Sequence, residues 1–250
     1  MARDTIESRD GEARGGANGL RTTRRVFLTG LLASAAAGCA SAPKSSVQWI
    51  DPETVRARRL IRAAEAQVGV TTTYDGSYQK IGFPGGDVPM DKGVCTDVVI
   101  RAYRKAFGLD LQRLIHEDME AHFDAYPNLP KWGLSAPDPN IDHRRVLNMR
   151  TFFQRYAEQK PVSSRPMVYQ PGDIITQSDG KTFNHVAIVT DKLCWSGKRY
   201  ELVHNVSRGT QVNDMLFAYP INGHFRFLPP PEATDMPVAA LKSCMNRARA

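Results

Sequence analysis

The chain has 250 residues and a formal net charge of +7, with 42% apolar and 24% charged residues. That length suits one domain or two small ones, and that balance belongs to a globular protein rather than to a disordered chain. No run of about 18 apolar residues exists, which excludes a multi-span membrane protein. Four cysteines are too few for a disulfide-stapled mini-protein.

Residues 1–38 read as an export address. Thr23-Arg24-Arg25-Val26-Phe27-Leu28 opens a 13-residue apolar stretch, Val26 to Gly38, too short to span a bilayer as a helix. It closes on Ala36-Ala37-Gly38-Cys39, small residues before a cut site. The paired arginines resemble the twin-arginine export signal. The residues before Cys39 resemble a lipobox, with Ala36 standing where leucine is usual. That resemblance implies cleavage before Cys39, lipidation of its thiol, and a periplasmic lipoprotein held to the membrane. An ordinary signal peptide cut among the alanines is the alternative. Six arginines and four acidic residues lie in 1–38, so the remainder keeps +5 of the +7. That modest charge suits anionic cell-wall polymers or lipid head groups, or simply a solvated surface. No Lys/Arg stripe with interleaved aromatics appears, so nucleic acid is not an expected partner.

Residues 39–51 are expected to be a tether, and 52–228 the folded domain. Asp51 and Pro52 begin a helix whose apolar face is Ala57, Leu60, Ile61, Ala64 and Val68, with Gly69 as its stop. Residues 71–93, rich in Thr, Tyr, Gly, Asp and Pro, are expected to form a long surface loop. A second helix starts near Cys95, carries Val98, Val99, Ala102, Tyr103, Ala106 and Phe107 on its apolar stripe, and stops at Gly108. A third is expected over Leu111–Tyr126, with Leu114, Ile115, Met119, His122 and Phe123 inward. Residues 127–143 read as loop. A fourth helix over Arg144–Glu158 uses Leu147, Phe152, Phe153 and Tyr156. Beyond Pro161 the period becomes strand-like at Asp173–Gln177, Val186–Thr190, Tyr200–Val206 and Phe225–Leu228. Helices followed by strands predict an α+β fold with an antiparallel sheet. Residues 229–250 read as a C-terminal tail, either loose or a peripheral helix.

The candidate chemistry starts at Gly93-Val94-Cys95-Thr96-Asp97. A thiol at a helix N-terminus faces amide N–H groups and the positive end of the dipole, which favours the thiolate. Asp97 opposes that as a nearby carboxylate and reads as a first-turn cap. A buried, inert thiol is the alternative for Cys95. His185 heads one strand and can reach such a thiol as its base, while His204 or Asn205 on the next strand can orient the imidazole. Taken singly, His185 could be a strand-end surface residue and His204 a half-buried core one. Asp142-His143-Arg144-Arg145 lies between cysteine and histidine. Its arginines could clamp a carboxylate, or cap a helix and carry a solvated basic face.

Cysteine at a helix start, Pro171-Gly172-Asp173, His185-Val186-Ala187-Ile188-Val189 and a polar His strand resemble the papain-like cell-wall cysteine peptidases, the NlpC-type endopeptidases and CHAP amidases. More closely, residues of about 52–228 resemble the family of domain of unknown function 1287. The matching stretches include Tyr74-Asp75, Gly86-Asp87-Val88-Pro89, Gly93–Asp97, Ile141–Arg145 and Gly223-His224-Phe225-Arg226. The peptidase resemblance implies an NlpC-type fold with an inserted helical segment, in which Cys95 attacks an amide, His185 is the base and His204 its orienter. Tyr74 is placed like the tyrosine that polarises the carbonyl in the NlpC type, and Cys95 N–H completes an oxyanion hole. Two departures stand out: Thr96-Asp97 follow the cysteine where NlpC-type enzymes have Ser-Gly, and the cysteine-to-histidine interval is long. The implied substrate is a peptidoglycan stem-peptide amide. An acyltransferase or lipid hydrolase on the same core, and a non-catalytic envelope-binding module, are the rivals. No metal motif and no nucleotide loop appear, so no cofactor is expected. Cys194 and Cys244 could pair in an oxidising compartment or remain free.

Overall fold

A computed structural model describes residues 51–247. The export segment, most of the tether, and Cys39 with its lipidation lie outside the described residues.

The first helix, α1 (Pro52–Glu65), starts where Asp51 accepts the N–H groups of Glu53 and Thr54 at 3.3 and 3.1 Å. Proline at the first position forfeits only an N–H that has no helical partner anyway. Ala57, Leu60, Ile61 and Ala64 are buried as the spacing predicts. The helix ends three residues earlier than expected. Gln67 donates instead to Val98 O at 2.9 Å, Val68 is exposed, and Gly69 (φ 77°) turns the chain afterwards.

Residues 71–93 are a loop with two anchors. A two-residue parallel pairing joins β1 (Thr73–Tyr74) to β2 (Lys92–Gly93). Buried Arg101 holds the rest. It grips Asp87 through Nε and Nη2 at 2.8 and 3.0 Å and reaches Thr71 Oγ1 and Val88 O. Next, α2 (Cys95–Phe107) buries Val98, Val99, Ala102, Tyr103 and Ala106 and stops at Gly108 in the left-handed region.

The third helix, α3 (Leu111–Ala121), is shorter than expected, and Phe123–Ala125 continues as a 3-10 turn. His122 is exposed there rather than inward, because the backbone has left the helical path at that residue (ψ 49°). A further 3-10 turn at Asp142–Arg144 leads into α4 (Val146–Tyr156), whose Phe152, Phe153 and Tyr156 are buried while Leu147 is half-exposed.

The main sheet is antiparallel throughout, in the order β3-β8-β4-β5-β6-β7. Its strands are β3 (Glu158–Gln159), β4 (Ile174–Ser178), β5 (Asn184–Leu193), β6 (Tyr200–Asn205), β7 (Thr210–Asn213) and β8 (Ile221–Arg226). Successive side chains point to opposite faces. Ile174, Val186, Ile188, Val203 and Phe225 meet the helices. Ile175, Ala187, Val189 and Leu202 meet Tyr169 and Leu216 from the flanking loops. Both faces are therefore covered, which is why these strands read as continuous apolar runs. β8 begins four residues before the expected Phe225–Leu228 strand. Gly223 faces Thr176 there, and a Cβ would stand 2.4 Å from Thr176 Oγ1, so a residue that reads as a turn is required by close strand approach.

The C-terminal segment takes the second of its two alternatives, a helix, with one face packed on the core. The last helix, α5 (Val238–Arg247), buries Val238, Leu241, Cys244 and Met245 in the same cluster as α3 and α4. Thr234 ties the approach by donating to Phe107 O at 2.9 Å. Cys194 and Cys244 are both buried and free. No helix among the described residues is long and apolar enough to cross a membrane.

Candidate functional site

Cys95 is the first residue of α2 and only 2% exposed. Its loop is fixed by charge. Asp97 accepts Val94 N–H at 2.7 Å, which caps the helix, and receives Arg144 through Nε and Nη2 at 3.0 and 2.9 Å. Arg144 spends its remaining donors on Ser77 O and Asp75 O. Thr96 Oγ1 donates to Arg144 O and Asn205 Nδ2 to Gly93 O, at 3.0 and 2.9 Å. Asp97 and Arg144 thus form a buried pair behind the thiol, so neither is free to meet a substrate. Asn205 holds the cysteine loop and does not orient His185.

The thiol opens on a pocket of about 230 Å³ that also includes Tyr74, Lys131, Trp132, Arg145 and Asn184. Burial pushes the Cys95 thiol up to about 11, and Asp97 adds to that rise; the backbone N–H groups of Val186, Thr96 and Cys95 oppose it. The helix terminus therefore does not yield a resting thiolate, contrary to the sequence expectation, because loss of water outweighs the amides. Tyr74 stands at the mouth, 43% exposed, its phenol raised to about 12 by desolvation first and then by the nearby Cys95 and Asp97.

His185 is the second residue of β5, next to the Val186 N–H that meets the sulfur. Its ring is buried. Its neighbours are Phe183, stacked at 5.7 Å, and His204, edge-on at 5.0 Å between centroids. His204 is fixed from behind, with Nε2 2.8 Å from Asn213 Oδ1. His185 Nε2 and His204 Nδ1 are buried and have no hydrogen-bond partner among the described residues. Burial lowers His185 to about 3, with the His204 charge adding to it, and lowers His204 as well, so both rings are neutral. The structure brings the two histidines together, but no hydrogen bond joins Cys95 to His185 among the described residues.

Arg145 differs from Arg144. Its Nη1 donates to Asp142 Oδ1 at 2.8 Å, its guanidinium lies over the Trp132 ring at 4.4 Å, and it lines the pocket. Lys131, Trp132 and Asn213 escaped the sequence reading, and Asn184 enters it only as the residue before His185. The first two sit in a loop without periodicity, and the asparagines carry no motif. Among the described residues no group of three or more His, Cys, Asp and Glu could hold a metal ion.

Sheet, helices and pocket together define an α+β protein with a cysteine at the floor of a polar pocket. Residues 61–227 match the model of the family described as Domain of unknown function (DUF1287), and the chain belongs to that family. It is similar to "Uncharacterized protein YijF" of Escherichia coli (strain K12), with 44% identity over 164 residues, 66% of this chain and 78% of the other.

Proposed function

We propose that this chain is an exported thiol hydrolase that cleaves an amide, with peptidoglycan stem peptides as the substrate and a papain-like, NlpC-type arrangement of its site. The observation that carries the reading is the thiol itself. Cys95 heads α2 and lines the pocket, and Val186, whose N–H favours its thiolate, directly follows a buried imidazole backed by a second.

In this reading His185 takes the thiol proton as sulfur attacks the carbonyl. A neutral imidazole can accept it. The tetrahedral oxygen is received by Cys95 N–H and the Tyr74 hydroxyl. His185 then returns the proton to the leaving amine, and water releases the acyl group. His204, anchored on Asn213, keeps the His185 ring in place. The twin-arginine signal and Cys39 anchor would deliver the domain to the envelope. A pocket lined by Lys131, Arg145 and Asn184 suits a polar substrate better than a lipid chain, which weighs against the lipid-handling rival.

A second reading, a non-catalytic envelope-binding module, is favoured by the raised thiol and by the missing Cys95–His185 hydrogen bond. Digestion of purified sacculi by the full chain separates the two. The hydrolase reading expects new amine termini, identified by product masses, that vanish with Cys95→Ala. Undigested sacculi that both proteins bind equally well would leave the binding module.

A further inference from the structure

Most of the described arginines that pair with a carboxylate do so through one edge; Arg113 and Arg226 use Nη1 for Glu117 and Asp173. Five guanidiniums, those of Arg101, Arg104, Arg144, Arg155 and Arg199, hold a carboxylate with the Nε and Nη2 edge. That edge presents two parallel N–H groups and fits a carboxylate in the plane of the fork. Arg145 departs from the pattern. Asp142 takes its Nη1, and neither Nε nor Nη2 has an acceptor among the described residues. Trp132 beneath and Asp142 behind fix the guanidinium, so little side-chain freedom remains to be lost on binding. The edge belongs to a side chain that lines the Cys95 pocket. The same wall carries Lys131, exposed and with no ion pair among the described residues, and no carboxylate lines the pocket.

We propose that this pocket selects an acyl substrate with a free carboxylate close to the bond attacked, gripped by the Nε/Nη2 edge of Arg145 and assisted by Lys131. The proposal rests on the reading that Cys95 is the attacking thiol. It gives the specificity of that reaction: a peptide amide beside an anionic group, in preference to its neutral amide analogue.

Two alkylating agents test it on the full chain. Iodoacetate is anionic and iodoacetamide is its neutral amide, and both react with the same sulfur. The ratio of their rates at the Cys95 peptide, read by mass spectrometry, therefore cancels the reactivity of the thiol and reports only the preference for an anion. The expected ratio is about tenfold above that of the same peptide in the denatured chain. It falls about tenfold in Arg145→Gln, part of it survives in Arg145→Lys, and high salt reduces it in the unmodified protein. A ratio at or below the denatured value, indifferent to salt, overturns the proposal. If Arg145→Gln does not fold, Lys131→Gln and the salt series decide the same question. The hydrolase reading fails separately: undigested sacculi with an anion-favouring ratio would leave a carboxylate-binding pocket without catalysis.

Discussion

At one end of the sheet Asp173 is held by Arg226 Nη1 at 2.6 Å and by His224 Nε2 and the Gln170 N–H, both at 2.8 Å. Arg226 also pairs with Glu53, and His224 Nδ1 lies 3.1 Å from Pro161 O. Both ring nitrogens of that histidine have a protein acceptor nearby. At the Cys95 end the network is built from the same residue types, yet it leaves valences over. His185 Nε2, His204 Nδ1 and the Arg145 edge have no partner among the described residues, and burial keeps the thiol protonated. Buried polar groups cost free energy when unmatched, so a closed network reads as scaffold and an open one marks where a ligand or a proton is expected.

The largest expected effect lies at the open end. His185→Ala should lower amide cleavage about 10²–10⁴-fold, the usual contribution of a general base, with the fold retained by circular dichroism. Equal rates for the two proteins would remove His185 from the mechanism. Next comes the pair behind the thiol. Arg144→Ala leaves Asp97 as an unpaired buried charge and should cost about 3–5 kcal/mol in urea unfolding. At the closed end, His224→Ala removes one of three partners of Asp173. It should cost about 1–3 kcal/mol and leave Cys95 alkylation unchanged, because Arg226 and the Gln170 N–H still hold the carboxylate. An altered thiol there would erase the distinction between the two ends.

The pH dependence sharpens the same contrast. His185 and His143 are both lowered to about 3 by burial, so the folded state resists their protonation. Their contribution to stability is present above the unfolded value of about 6.5 and is lost as pH falls from there towards 3. Unfolding midpoints in urea should drop across that window, and His185→Gln should flatten the drop. Cys95 runs the other way. Its raised thiol gives stability that is present below the unfolded value of about 8.5 and declines as pH rises towards 11. Iodoacetamide labelling of Cys95 should accordingly quicken as pH rises from neutrality.

Much of this was legible in the sequence where one residue type has one local role. Asp51 before Pro52, Cys95 after a glycine-rich loop, and the apolar stripe from Val98 to Ala106 predict helix starts and faces that the structure keeps. The α+β order and the antiparallel sheet were also legible, because the hydrophobic period changes after Pro161. What escaped depends on distant partners. Val68 was assigned to a helix face that the chain leaves at Glu65, and His122 to one it leaves at Ala121. β7 has one large apolar residue, Val212, and draws its pairing from β6. Loose tail and helix could not be separated for the last residues, because the burial of α5 depends on α3 and α4. At the site, type and spacing suggested Arg144 and Arg145 as equivalents. Only the fold shows that Asp97 consumes the first and that Asp142 leaves an edge of the second. The thiolate expectation failed for a related reason, since dipole and capping are local while desolvation is set by the whole core.

The central claim is that Cys95 is a nucleophile whose proton leaves through His185. Acylation by p-nitrophenyl acetate near neutral pH tests it most directly, with the modified cysteine located by peptide mass mapping of the full chain. The account predicts a burst of one acetyl group per chain, carried by Cys95 rather than by Cys194 or Cys244, and slowed about 10²-fold or more in His185→Ala. Acetyl groups spread over the three cysteines at the rate of ordinary thiols, or a Cys95 rate indifferent to His185, would contradict it.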